Sequence, residues 1–181
     1  AFLTWMAFLP LREGDRDALA LALANRMFGQ PGSGRLWRRL REREGLSYGA
    51  WSEVDWNASA PGSWWRASAS FAASDRGRVE QALEEELARI EREGFTAAEL
   101  ALAKTAHLQE QQRLAAQPMR LLGQQLQALR SGIAREGAPL ERQVAELSLD
   151  DVNAVWRRCI RADRLVRAIA GNVSSAATPA H

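Results

Sequence analysis

The stretch GQPGSGRLWRRLREREGLSY, residues 29–48, gathers most of the side chains in this chain that could do chemistry. Its first six residues have the G-x-x-x-x-G spacing of a phosphate-cradling loop. Such a loop must continue with Lys and then Ser or Thr, to reach the terminal phosphates and a magnesium ion, and Arg35 and Leu36 stand there instead. It must also join a strand to a helix, whereas helical patterning flanks this loop on both sides. The spacing therefore marks a turn in which Pro31 and Gly32 reverse the chain, and Ser33 is expected to cap the following helix.

Arg35, Arg38, Arg39, Arg41 and Arg43 crowd one short segment, and such a cluster can grip nucleic-acid phosphates. Glu42 and Glu44 interrupt the ladder, and the acidic segment at 80–93 can pair with it. Most of these arginines are thus expected on a salt-bridged face, and nucleic-acid binding ranks last among the functions open to this chain. Arg41 and Arg43 also sit in the last helical turn, where the helix dipole favours a cation. A specific role must single one of them out by more than charge.

Metal chemistry has few candidates. His107 opens HLQEQ, half of an H-x-x-E-H motif, but Gln111 occupies the place of the second ligand, and a catalytic zinc wants three protein ligands. His107 reads as a helix-surface or interface residue. The single cysteine, Cys159, offers neither a disulfide framework nor a thiolate cluster and reads as a small buried apolar residue, which leaves oxidising and reducing compartments both open.

These residues need a scaffold, and 181 residues with 46% hydrophobic and 25% charged side chains suit one soluble domain with a real core. No apolar run approaches the roughly 18 to 20 residues needed to cross a bilayer. The 24 basic and 22 acidic residues leave a net charge of only +2, a weak pull toward any polyanion. The opening AFLTWMAFLP has no initiator Met and no basic leader, so the chain is expected to be part of a longer polypeptide.

Phe2 to Leu9, closed by Pro10, has bulky side chains on both parities and fits a strand buried on both faces. Leu19, Leu23 and Met27 give a helix from Asp15 to Phe28, and a second helix runs from about Ser33 to Glu44, stopped by Gly45. Ser47 to Ala58 and Ser63 to Ala72, separated by Pro61-Gly62, predict a hairpin. A charged amphipathic helix follows from Asp75 to Glu93. Thr96 with Glu99 forms a capping box for a long helical stretch, divided at Pro118 and ending near Gly132. Ser148 and Asp151 cap a last helix through Ile160, and Arg164 to Gly171 closes with a strand. The order β-α-α-β-β-α-α-α-β predicts an α+β fold, an antiparallel sheet of about four strands covered on one face by helices. Residues 1–172 form the expected single domain, and 173–181 have the composition of a disordered tail.

Read as a whole, SGRLWRRLREREGLSYGA resembles the C-terminal, non-zinc half of the pitrilysin/insulinase family of metallopeptidases, which includes the mitochondrial processing peptidases. The opening strand, DRDALALALANRMFG, GFTAAELALAK and ADRLVRAIAGN look like that family's elements in the family's order, so the likeness covers about residues 1–172. Its most specific part is LREREGLSY.

The resemblance implies a metal-free half of a two-half zinc endopeptidase, related to bacterial processing-peptidase-like proteases and inactive by itself. A homologous half or subunit bearing H-x-x-E-H would supply zinc, and the two would close around an unfolded peptide substrate. In such enzymes this half contributes an arginine and a tyrosine that hold the substrate, here Arg41 and Tyr48. Setting LALANRMF against the family's zinc motif places Leu21, Ala24 and Asn25 at the ligand and base positions, so no metal is expected in this chain. The strand at 63–72 offers an expected edge for an added peptide strand. A non-proteolytic relative resembling the core subunits of a respiratory complex is the alternative from another class.

Overall fold

The computed structural model describes residues 1–117 and 139–171, with positions 119, 122, 123 and 126. Its elements are β1 (Phe2–Leu9), α1 (Arg16–Gly29), α2 (Arg35–Trp37), β2 (Ser47–Asp55), β3 (Ser63–Phe71), α3 (Arg76–Glu93), α4 (Ala97–Ala115), α5 (Leu140–Glu146), α6 (Leu149–Cys159) and β4 (Val166–Ala170). The expected division at Pro118, the helix end near Gly132 and the tail from residue 173 lie outside the described residues. The short helix α5 was not expected; its seven residues offer only one buried apolar position, Val144, as a periodic signal.

The fold is α+β: the strands form one antiparallel sheet in the order β2-β3-β1-β4, with helices on one face. Alternation within β1 explains the layering. Leu3, Trp5, Ala7 and Leu9 are buried toward the helices, while Phe2 and Phe8 stay 37% and 57% exposed on the other face. This corrects the expectation that β1 is buried on both faces. It is central in the sheet, but its outward Phe2 and Phe8 stay partly open while packing against Trp51 and Trp64. The order also corrects the expected edge, since β3 is interior, paired on one side with β2 and on the other with β1. The edges are β2 and β4.

Trp156 on α6 knits the helical layer to the sheet. Its ring packs 5.1 Å from Phe28 of α1, 5.8 Å from Trp65 of β3 and 5.4 Å from Phe95 before α4. Two capping boxes, Thr96 with Glu99 and Ser148 with Asp151, start α4 and α6 as expected. Helix α1 lies so close to β2 that a Cβ on Gly29 would collide with the Ser52 hydroxyl and backbone nitrogen. At that contact Asn25 Nδ2 donates to the Ser52 carbonyl at 3.2 Å, and its Oδ1 accepts from Ser52 Oγ at 2.6 Å and from Trp65 Nε1 at 2.9 Å. Among the described residues, no helix is long and apolar enough to cross a membrane.

Candidate substrate-contacting site

The segment that carries the arginines is not a uniform helix. Its N-cap is Gly34, without a side-chain cap bond, so Ser33 does not take the expected role. The α-helical turn of α2 widens into a π-helical turn over Arg38–Arg43, with Glu44 N–H donating to the Arg39 carbonyl at 3.1 Å. Such widened turns are rare and recur at functional sites. Leu36 and Leu40 anchor it in the core. Gly45, at φ 63°, then turns the chain into β2 through a left-handed conformation that a side chain disfavours.

The ladder divides by partner. Arg35 holds Glu99 through two bonds of 2.7 Å, donates to the Gly94 carbonyl at 3.0 Å and covers the Phe95 ring. Burial pushes Glu99 up, but these bonds and the Thr96 N–H outweigh it and hold the carboxyl down at about 2. Arg38 reaches Glu99 at 3.5 Å, and Arg39 bonds Glu44 at 2.8 Å and Glu85 at 2.5 Å. Glu86, only 3% exposed, sits between Arg35, Arg39 and Arg89 at 3.7–3.9 Å. Arg35, Arg38 and Arg39 thus clamp the turn to α3 and α4, the salt-bridged face expected from the acids at 80–93. Among the described residues, Arg41 and Arg43 have no acidic partner in ion-pair range. Arg41 instead donates from Nη1 to the Ser47 carbonyl at 3.4 Å.

Ser47 is where β2 breaks register. Ser47 pairs with Phe71 and Gly49 with the next residue, Ser70, so Tyr48 is an extra residue with no partner across the ladder. A bulge of this kind redirects a side chain out of the pleat, and Tyr48 is 74% exposed although it lies in a strand. The buried Ser47 hydroxyl braces the irregularity, lying 2.7 Å from the Gly49 carbonyl and 2.8 Å from that of Ser70 while accepting from Gly49 N at 3.1 Å. The structure thus brings the two expected residues to one edge of the sheet, Arg41 through its contact with the peptide unit that precedes Tyr48. The bulge and the π-helical turn were missed in the sequence, where Gly45 and Gly49, each two residues from Ser47, are the local signal.

The positions compared with a metal motif do not fit zinc. Leu21 and Ala24 are fully buried apolar residues, and Asn25 spends its amide on Ser52 and Trp65. Among the described residues, no group of three His, Cys, Asp or Glu side chains could hold a metal ion. His107 is half-buried on α4, where burial and the Arg26 guanidinium hold it below its ordinary value. Cys159 is buried, and that burial pushes its thiol up, away from thiolate chemistry.

The described residues thus form a helix-covered antiparallel sheet whose first helix carries Leu21, Ala24 and Asn25 rather than a metal-ligating set. The chain belongs to the Peptidase M16 inactive domain family, whose profile matches residues 1–106. Solved structures share its fold. A peptidase M16 inactive domain from Pseudomonas fluorescens is 22% identical with a TM-score of 0.76, over 92% of this chain and 40% of that one. The inactive peptidase domain of a proposed zinc protease from Bordetella parapertussis is 21% identical with a TM-score of 0.76, over 93% of this chain and 91% of that one. A chain of complex III2 from Candida albicans is 12% identical with a TM-score of 0.76, over 92% of this chain and 42% of that one. The chain therefore spans about two fifths of the Pseudomonas chain and nearly all of the Bordetella domain. No curated protein matches it.

Proposed function

We propose that this domain is the substrate-holding, metal-free half of a zinc metalloendopeptidase that encloses and hydrolyses peptides. A homologous half bearing H-x-x-E-H, on the same polypeptide or a separate subunit, would supply zinc and its activated water. The observation that carries the reading is the convergence of Arg41, the ladder arginine engaged among the described residues only by a backbone carbonyl, and the bulged, exposed Tyr48. A guanidinium fork can hold a peptide carbonyl without losing its proton, and a phenol can donate to the carbonyl oxygen on which negative charge develops. Among the described residues the outer edge of β2 has no neighbouring strand, so an extended peptide could lie along it and reach both groups.

The test is cleavage of an unstructured peptide by this domain recombined with a zinc-bearing homologous half. Arg41→Ala and Tyr48→Phe are each expected to lower kcat/KM while zinc content stays at one ion per assembly. Undiminished turnover in both variants would remove the assigned roles. The shared fold of the complex III2 chain favours a second reading, a non-proteolytic structural subunit. That reading is distinguished by assembly without cleavage in the unsubstituted protein.

A further inference from the structure

We propose that the tip of the β2–β3 hairpin is a subsite for an arginine side chain of an extended peptide. The proposal rests on the domain's reading as a peptide-holding half, but it uses neither Arg41 nor Tyr48. Asp55 and Trp64 are cross-strand partners at the last rung of the β2–β3 ladder. Directly opposed residues stand about 4.5–5.5 Å apart at Cβ, so carboxylate and indole share one face of the hairpin end. With Trp56, Asn57, Ser59 and Gly62 they line a pocket of about 430 Å³.

The walls of this pocket are held in place by the protein itself. Trp56 packs against the hydrophobic core, and Trp64, 40% exposed, is wedged edge-on by Phe8 at 5.4 Å. Asn57 shapes the loop, its Oδ1 accepting from the backbone nitrogens of Ser59 at 2.9 Å and Ala60 at 3.2 Å. Its own N–H donates to Ser63 Oγ at 3.0 Å, and that buried hydroxyl donates to the Leu11 carbonyl at 2.8 Å. A ligand entering such a pocket pays little to order it.

Charge selects the ligand. Among the described residues Asp55 has no ion-pair or hydrogen-bond partner. The nearby cations are already engaged, Arg66 by Glu53 at 3.1 Å and Arg12 by Asp15 at 3.2 Å. Glu13, whose N–H donates to the Asn57 carbonyl at 2.8 Å, adds a second carboxylate beside the loop. In a chain of net charge +2 this tip is locally acidic and aromatic. A guanidinium suits both features, since its face stacks on an indole while its edge donates to a carboxylate through two parallel bonds. Asp55 lies at the opposite end of β2 from Tyr48, about 23 Å away at ~3.3 Å per residue. One extended peptide can therefore meet both ends of the strand.

The experiment titrates the full chain with an acetylated, amidated glycine pentapeptide carrying one central arginine, read by the NMR signals of the tryptophan indole N–H groups. The Trp56 and Trp64 signals are expected to shift saturably, with the isosteric, uncharged citrulline peptide binding about tenfold more weakly. Asp55→Asn is expected to lower arginine-peptide affinity by about tenfold with the rest of the spectrum unchanged. Equal binding of the two peptides, no saturable shift at these indoles, or full affinity in Asp55→Asn would each overturn the subsite. Binding is read on this chain alone, so failure of cleavage in the recombined enzyme does not touch it. Failure here likewise leaves Arg41 and Tyr48 standing.

Discussion

Arg41 donates to the carbonyl of Ser47 at 3.4 Å, and Ser47 is the residue whose buried hydroxyl braces the bulge that turns Tyr48 outward. The arginine therefore bears on the tyrosine through one peptide unit. Their contributions to cleavage should not be independent. In the recombined enzyme, Arg41→Ala combined with Tyr48→Phe is expected to reduce kcat/KM by about as much as the worse single variant, on the order of 10²-fold if the tyrosine stabilises an oxyanion. Full additivity in kcat/KM would show that the contact does not couple them. Arg41→Lys, which keeps the charge but loses the planar fork, should recover less than half of the lost activity.

Glu99 ties α2 to α4, and its depressed ionisation makes that tie sensitive to acid. The carboxyl falls from 4.5 to about 2 because Arg35 and Thr96 bind its charged form, outweighing burial. A group depressed in the folded state stabilises above its unfolded value and loses that contribution as pH falls through its folded one. The contribution, at most about 3 kcal/mol, should be complete above about pH 4.5 and vanish toward pH 2. Urea unfolding between these limits is expected to show a flatter acid limb in Glu99→Gln than in the unsubstituted chain. Parallel curves would contradict the assignment.

Asn25 is a half-buried polar hub rather than a vestige. Asn25→Ala would leave Ser52 Oγ and Trp65 Nε1 without their acceptor, and each stranded group costs about 1–3 kcal/mol. The midpoint of urea unfolding is expected to fall accordingly. Asn25→Asp, which keeps the acceptor, should lose less, and the opposite ranking would discount the network.

Two glycines should respond differently to alanine. Gly29→Ala forces a methyl group into the backbone of Ser52 and is expected to cost about 1–3 kcal/mol by overpacking. Gly45→Ala meets open space and suffers only from its φ of 63°, about 1–2 kcal/mol. Adding space by Ser52→Ala should partly rescue the first variant and leave the second unchanged, as measured by chemical denaturation.

Local chemistry was legible in this sequence and distant pairing was not. The capping boxes at Thr96 and Ser148 and the stop at Gly45 are encoded within a few residues, and they stand where expected. So does the sheet with helices on one face, because periodicity reports which parities are apolar. Strand order depends on where β1 inserts, and β1 displaces β3 from the edge by pairing with it from Leu9 with Ser63 to Phe2 with Ser70, far apart along the chain. The partition of the arginines was legible only as a tendency. Which guanidinium meets Glu85, Glu86 or Glu99 is set by a π-helical turn that propensities do not reveal. Arg41 and Tyr48 came from family resemblance, and their proximity through Ser47 came from the structure.

The irregularity at Tyr48 is also a measure of length. Residues on either side of it keep their partners on β3, so the strand could shed this one residue and close into an unbroken ladder. No other residue between Ser47 and Asp55 can be removed without turning the remaining side chains to the opposite face. Loss of the hydroxyl by deletion would thus be gentle on the fold while erasing the contact. Under the role proposed for Tyr48, one residue more or fewer between the positions matching Ser47 and Gly49 becomes a countable mark across relatives of this domain, separating chains that would grip a peptide there from those that keep only the architecture.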